Sequence, residues 1–345
     1  MLGNWILLAD RFLRMHYYGF TSSLVLFGAA SVQEAPTWTT IVLLLGVAAT
    51  FHVFAYVQND VFDLHVDATQ PLRRDDPLVA GTIAPWQAKL LAFAQVPLSA
   101  VLIREAGGPP GAYLVMAAGF ALMTVYNLYG KRCPVPPLTD LVQGLAWGSL
   151  ALVGALLAGG RVTRTTVPAV AYGATFIFLI NGVHGGLRDL ANDLRCGMTT
   201  TASYLGASPR PDGQVESSPA LQVFAWFAFA AVVLPFPLGL QGGVFGYDEQ
   251  TRWLVVIPWL ILTFASTSVL WRVVRRTEPE REKMISLHGL LVLLPPIVVF
   301  LPLMSPRLAA VYLCSFVLPL WAMDPRLESV RAMFSPAIVP VQSED

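Results

Sequence analysis

Asp60, Asp63 and Asp67 stand in the stretch YVQNDVFDLHVDATQPLRRDDPLVAG, residues 56–81, directly after a run of largely apolar residues. On a helix turning about 100° per residue, Asp63 lies about 60° and Asp67 about 20° from Asp60. Tyr56 falls on the same face, and Asn59 lies at its edge. Three carboxylates on one face repel one another unless cations intervene. Hard oxygen ligands with room for water suit Mg2+.

A second cluster, RDLANDLRCG at 188–197, repeats the pattern. Asp189 and Asp193 are four apart, about 40° on a helix. Asn192 and Asn181 can reach the same side, and the glycines of NGVHGG, 181–186, leave room for a neighbour or ligand. Basic residues accompany both clusters. Arg73 and Arg74 follow the first, Arg188 and Arg195 flank the second, and VYNLYGKRCP contributes Tyr126, Tyr129, Lys131 and Arg132 between them. Acids that hold Mg2+, ringed by Arg and Lys, make a receptor for a phosphate-rich ligand.

The elements that position these residues must lie in a bilayer. Of 345 residues, 55% are hydrophobic and only 13% charged, about half the share usual in soluble domains. Apolar stretches of spanning length fall near 15–32, 38–58, 84–103, 111–128, 138–159, 168–187, 219–239, 252–273, 285–304 and 308–323. This predicts an all-α polytopic bundle of nine or ten spans in one domain. Basic residues concentrate after spans two, four, six and eight, which puts those loops, the N-terminus and both clusters on the cytoplasmic side; in a bacterium the membrane would be the inner one. Acidic clusters after spans two and six suggest two four-helix repeats, with halves at about 10–130 and 135–305. The stretch 207–219 reads as a flexible loop and 335–345 as a disordered tail.

Other features carry less. A net charge of zero gives no reason to propose nucleic acid. Cys133, Cys196 and Cys314 fit neither a disulfide framework nor a zinc site and read as free thiols. The N-terminal residues show no signal-peptide pattern. His52 and His184, inside spans, read as satisfied interior histidines. His65 lies off the acidic face, and His16 can border the cavity.

Together these residues resemble a known family. NDVFDLHVD is similar to the N-D-x-x-D-x-x-x-D motif of the UbiA superfamily of intramembrane prenyltransferases. RRDDPLVAGTIAPWQA resembles its R-P-L-x-x-G-x-I stretch, DLANDLRCGMTTTASYLG its second motif, and VYNLYGKR its tyrosine–lysine motif. The likeness covers roughly residues 10–305. It implies about nine helices around a central cavity that opens to the cytoplasm. It also implies Mg2+ and an isoprenyl diphosphate held by Asn59, Asp60, Asp63 and Asp67 on one side and by Asp189 and Asp193 on the other. Arg73 or Arg74, Lys131 and Tyr126 would neutralise the diphosphate. Two departures stand out: Tyr126 and Lys131 are separated by four residues rather than three, and Gly185 and Gly186 occupy the place of a further acid found in many members.

Such a site ionises an allylic diphosphate and passes the cation to an aromatic or other hydrophobic acceptor. Asp193 or Asp67 would remove the final proton. The alternative is a terpene cyclase of the same superfamily, in which the chain closes on itself. A secondary transporter fits less well, because the acids sit at helix ends beside arginines rather than mid-span.

Overall fold

The computed structural model describes residues 10–70, 73–212, 214–276 and 280–323. Among them, long helices dominate: α1 (Tyr18–Ser31), α2 (Trp38–Asp67), α3 (Pro85–Glu105), α4 (Pro110–Tyr129), α5 (Pro136–Gly159), α6 (Thr166–Arg188), α9 (Pro219–Gln241), α10 (Glu249–Val273), α11 (Arg281–Leu303) and α12 (Pro306–Met323). Two short helices, α7 (Leu190–Arg195) and α8 (Thr201–Tyr204), lie between α6 and α9. Eight of the long helices are long and apolar enough to cross a bilayer, while α1 and α12 are shorter.

Local chemistry sets the helix starts. Proline occupies the first turn of α3, α4, α5 and α9, where a missing N–H costs nothing. Thr37, Ser218 and Asp248 accept a backbone N–H from the third residue onward. The C-terminal two turns of α2 extend well past the apolar run and carry all three acids of the first cluster.

Helix α5 is the hub, packed against α1, α4 and α6. Its glycines allow backbones to touch. A Cβ on Gly154 would fall 2.0 Å from the Val25 carbonyl oxygen of α1, and one on Gly144 would fall 2.2 Å from that of Ala174 in α6. Gly28 of α1 meets Ala151 of α5 at 2.0 Å in the same sense. In lipid, where water drives no helix association, such close approach supplies the packing. The periphery is apolar: Leu114, Val223, Phe227, Leu254 and Phe264 are all exposed, as expected of surfaces that face acyl chains.

The stretch 207–219 is not the structureless loop expected from its composition. Ser208–Pro209 (β1) and Val215–Glu216 (β2) form a small antiparallel hairpin. Arg281, at the start of α11, donates to the carbonyls of Val215, Val273 and Arg275. A buried guanidinium thus pins the hairpin to the α10–α11 turn, and its long-range partners are invisible in local sequence. The tail 335–345 lies outside the described residues.

The packing makes a direct prediction. Gly154→Val should lower the thermal midpoint of the detergent-solubilised protein, since overpacking a tight contact costs about 1–3 kcal/mol or more. Gly111→Ala, whose new methyl would meet its nearest neighbour at an ordinary 3.8 Å, should leave the midpoint within error.

Candidate active site

At the end of α2 the acids fan toward three cations. Asp60 accepts the Arg14 guanidinium and lies 4.0 Å from Arg73 Nη1. Asp67 lies 3.4 Å from Arg73 Nε. Asp63 lies 3.4 Å from Lys131 Nζ. Asn59 donates to Asp63 and to Asn127, and Asn127 in turn donates to Gln58 at 2.8 Å. The common face expected from helical spacing is present, with its repulsion relieved by basic side chains.

Lys131 joins the two clusters. Its ammonium lies 3.2 Å from Asp193 Oδ1 as well as 3.4 Å from Asp63, and its carbonyl accepts the Thr199 N–H at 3.2 Å. Burial opposes its charge, but Asp63 and Asp193 more than offset that and hold its pKa above the usual lysine value. Burial pushes the Asp193 carboxyl above the ordinary carboxylate range despite Lys131.

The second cluster does not lie on the continuous helix that its spacing predicts. Helix α6 passes into a π-helical turn at Ile180–Gly185 and breaks at Asp189. Asp193 is therefore carried by α7 and faces Lys131, while Asp189 pairs with Arg188 at 2.9 Å. Asn192 is turned to the end of α2, donating to the Val66 carbonyl and accepting from Thr69 and Arg195. It ties the two motifs together.

Other residues sort by position. Tyr126 is partly buried and accepts from Asn181 Nδ2 at 3.4 Å, whereas Tyr129 is 58% exposed. Of the two tyrosines, Tyr126 is the one turned inward. Arg73 faces the acids. Arg74 and Arg132 are exposed, and neither forms an ion pair among the described residues. His52 is satisfied by Thr21 and the Leu13 carbonyl, and His184 bonds His288 at 2.8 Å, as interior histidines should. His65 is exposed, His16 pairs with Asp10, and the three cysteines are free.

Sequence reasoning missed two site residues. Arg14, not singled out in the sequence, covers Asp60 and sits 5.4 Å from the Tyr56 ring centroid. It adopts a left-handed backbone, φ 51°, which no sequence signal announces. Asp140 is buried in the first turns of α5 and accepts the Thr201 hydroxyl at 2.5 Å. A lone acid inside a spanning stretch was a usable signal. Beneath Asp60 runs an aromatic wall: Tyr56 meets Trp147 at 5.7 Å, and Trp147 meets Phe51 and Phe20 at 5.2 and 5.5 Å.

The donor set fits a hard cation. Every cluster acid offers carboxylate oxygen, and the buried Asp193 Oδ1 has no hydrogen-bond partner despite the nearby ammonium. Among the described residues no three His, Cys, Asp or Glu side chains converge on one point; the acids face cations instead.

The UbiA prenyltransferase family model matches residues 20–290. The chain belongs to this family. This UbiA chain is 28% identical over 192 residues to a lycopene elongase/hydratase of Halobacterium salinarum, a match covering 53% of the chain and 64% of that protein. It is 26% identical to a lycopene elongase/hydratase of Haloferax volcanii, over 65% of the chain and 74% of the relative. A digeranylgeranylglyceryl phosphate synthase of Ignicoccus hospitalis is 28% identical, over 64% of the chain and 69% of that protein. The fold matches a UbiA homolog from Aeropyrum pernix K1 at a TM-score of 0.62 and 20% identity, over 83% of this chain and 96% of the other. It matches a UbiA homolog from Archaeoglobus fulgidus, bound to GPP and Mg2+, at 0.58 and 18%, over 88% and 99%.

Lys131→Met should expose the role of the bridge. Removing one partner leaves buried carboxylates uncompensated, which costs about 3–5 kcal/mol. Asp193, already held high by burial, would then bind a proton more readily folded than unfolded. The variant's thermal midpoint in detergent should fall at pH 7 and recover toward the parent value as pH is lowered. An equal deficit at every pH would contradict it.

Proposed function

We propose that the chain is an integral membrane prenyltransferase that ionises an isoprenyl diphosphate and transfers the prenyl group to a hydrophobic acceptor. The observation that carries this reading is the double ion pair of Lys131, which sets Asp63 and Asp193 around one point while Arg73 holds Asp67 of the same cluster. The curated relatives support it: two carry the name lycopene elongase/hydratase and one digeranylgeranylglyceryl phosphate synthase. These names favour a non-aromatic acceptor over the aromatic one. The excess of basic residues at this end of the bundle supports a site on the cytoplasmic side.

Asn59, Asp60, Asp63 and Asp67 would hold Mg2+ on one side, and Asp189 and Asp193 on the other. Bound there, Mg2+ would supply Lewis acidity toward the leaving diphosphate. Arg73 and Lys131 lie where they can meet the charge that builds on the diphosphate oxygens as the allylic C–O bond breaks. Tyr126, with Asn181, borders the same space. The wall of Tyr56, Trp147, Phe51 and Phe20 excludes water and offers π-faces to the carbocation. Asp67 and Asp193 both face cations and both belong to the set that would hold Mg2+, so neither is free to serve as the base.

The test is an incubation of liposome-embedded protein with geranyl diphosphate and Mg2+, with and without lycopene or an ether-linked glycerol phosphate lipid. A coupled product that requires acceptor is expected. Asp60→Ala and Asp189→Ala should each cut diphosphate release by about 100-fold or more, and a chelator should abolish it. A cyclic hydrocarbon or alcohol formed without acceptor would replace transfer by cyclisation. Unchanged turnover in both variants would overturn the site.

A further inference from the structure

Asp140 has no part in the scheme above, and its surroundings are unusual. It is 7% exposed, and among the described residues no basic side chain pairs with it. Its one hydrogen-bond donor is the Thr201 hydroxyl, 2.5 Å from Oδ2. Burying an unpaired carboxylate is costly. A tether between α5 and α8 needs only a neutral acceptor, so the tether alone does not account for an acid here. Ionisable groups inside a membrane bundle are retained where they act.

The position is suited to action. Tyr126 lies within electrostatic reach of Asp140, Asp63 and Asp193 alike. Gly182, in the π-helical turn, lets the chain pack closely on this acid: a Cβ there would sit 3.3 Å from Asp140 Oδ2 and 3.0 Å from the Phe224 ring, and its neighbour Asn181 donates to the Tyr126 hydroxyl. The groups found against this oxygen, the Thr201 hydroxyl and Gly182, are thus neutral.

We propose that Asp140 is the base that takes up the proton ending the reaction. The proposal rests on the prenyltransfer reading. The allylic C–O bond breaks and its electron pair leaves with the diphosphate. The π electrons of an alkene acceptor form the new C–C bond, which moves the positive charge onto the acceptor. A C–H bond beside that charge then gives its proton to Asp140, and its electron pair closes a C=C bond. The products are diphosphate and a prenylated alkene, and the carboxyl returns its proton to water when the site opens. Among the described residues Asp140 faces neither ammonium nor guanidinium, whereas Asp67 and Asp193 are already engaged by Arg73 and Lys131.

The same step is readable without an acceptor. Geranyl diphosphate and Mg2+ give an allylic cation that either loses a proton, forming a hydrocarbon, or takes up water, forming an alcohol. Parent protein is expected to give both. In Asp140→Asn the hydrocarbon share should fall by about tenfold or more. Asp140→Ser also leaves an acceptor for Thr201, so either variant suffices if the other does not accumulate. Asp140→Glu should restore part of the share, and Thr201→Val, which removes only the tether, should keep it. An unchanged share in Asp140→Asn, or an equal fall in Thr201→Val, overturns the assignment alone, as does a parent protein that forms only alcohol. A parent protein that releases no diphosphate overturns the prenyltransfer reading and this assignment with it.

Discussion

The bridge from Lys131 to Asp63 and Asp193 is the contact on which the site depends. Without it, acids from two distant parts of the chain would meet in a weakly polar interior and force one another apart. With it, the end of α2 and the helix α7 are held to the short turn after α4. The Asn192 bonds to Val66 and Thr69 reinforce the same junction. The rest of the fold delivers these three segments to one end of the bundle, and the glycine contacts of α5 set how closely the helices beneath them approach.

How much was legible follows from the range of each interaction. Helical spacing placed Asp60, Asp63 and Asp67 on one face because nothing interrupts α2 before Asp67. Spans appeared near their observed bounds because lipid imposes length and apolarity directly. The same helical count failed at Asp189, where the π turn and the break at that residue redirect the chain. Glycines at 182, 185 and 186 announced room there but not the change of hydrogen-bond register.

Long-range partners were the other blind spot. Arg14 reaches Asp60 across 46 residues, and Arg281 reaches the β2 strand across 66. Neither partner is implied by local pattern. Arg73 and Arg74, adjacent and chemically alike, were equivalent in sequence; only the turn after α2 decides that Arg73 faces inward. Tyr126 and Tyr129 were separated in the same way, by which side of α4 faces its neighbours.

The ion pairs have a consequence for how ligands assemble. Each cluster acid already faces a cation of the chain, with Asp60 covered by Arg14, Asp67 by Arg73, Asp63 and Asp193 by Lys131, and Asp189 by Arg188. Five carboxylates thus meet four cations. Under the proposed function a diphosphate entering alone would add negative charge to a space that already holds an excess of it, while a divalent ion entering alone would carry the balance past neutrality. Arriving together they would offset one another's charge, with the guanidinium and ammonium groups free to pass from carboxylate to phosphate oxygen. Metal and substrate would therefore strengthen one another's affinity by reciprocal linkage, each bound alone being the less stable partner of a cooperative pair.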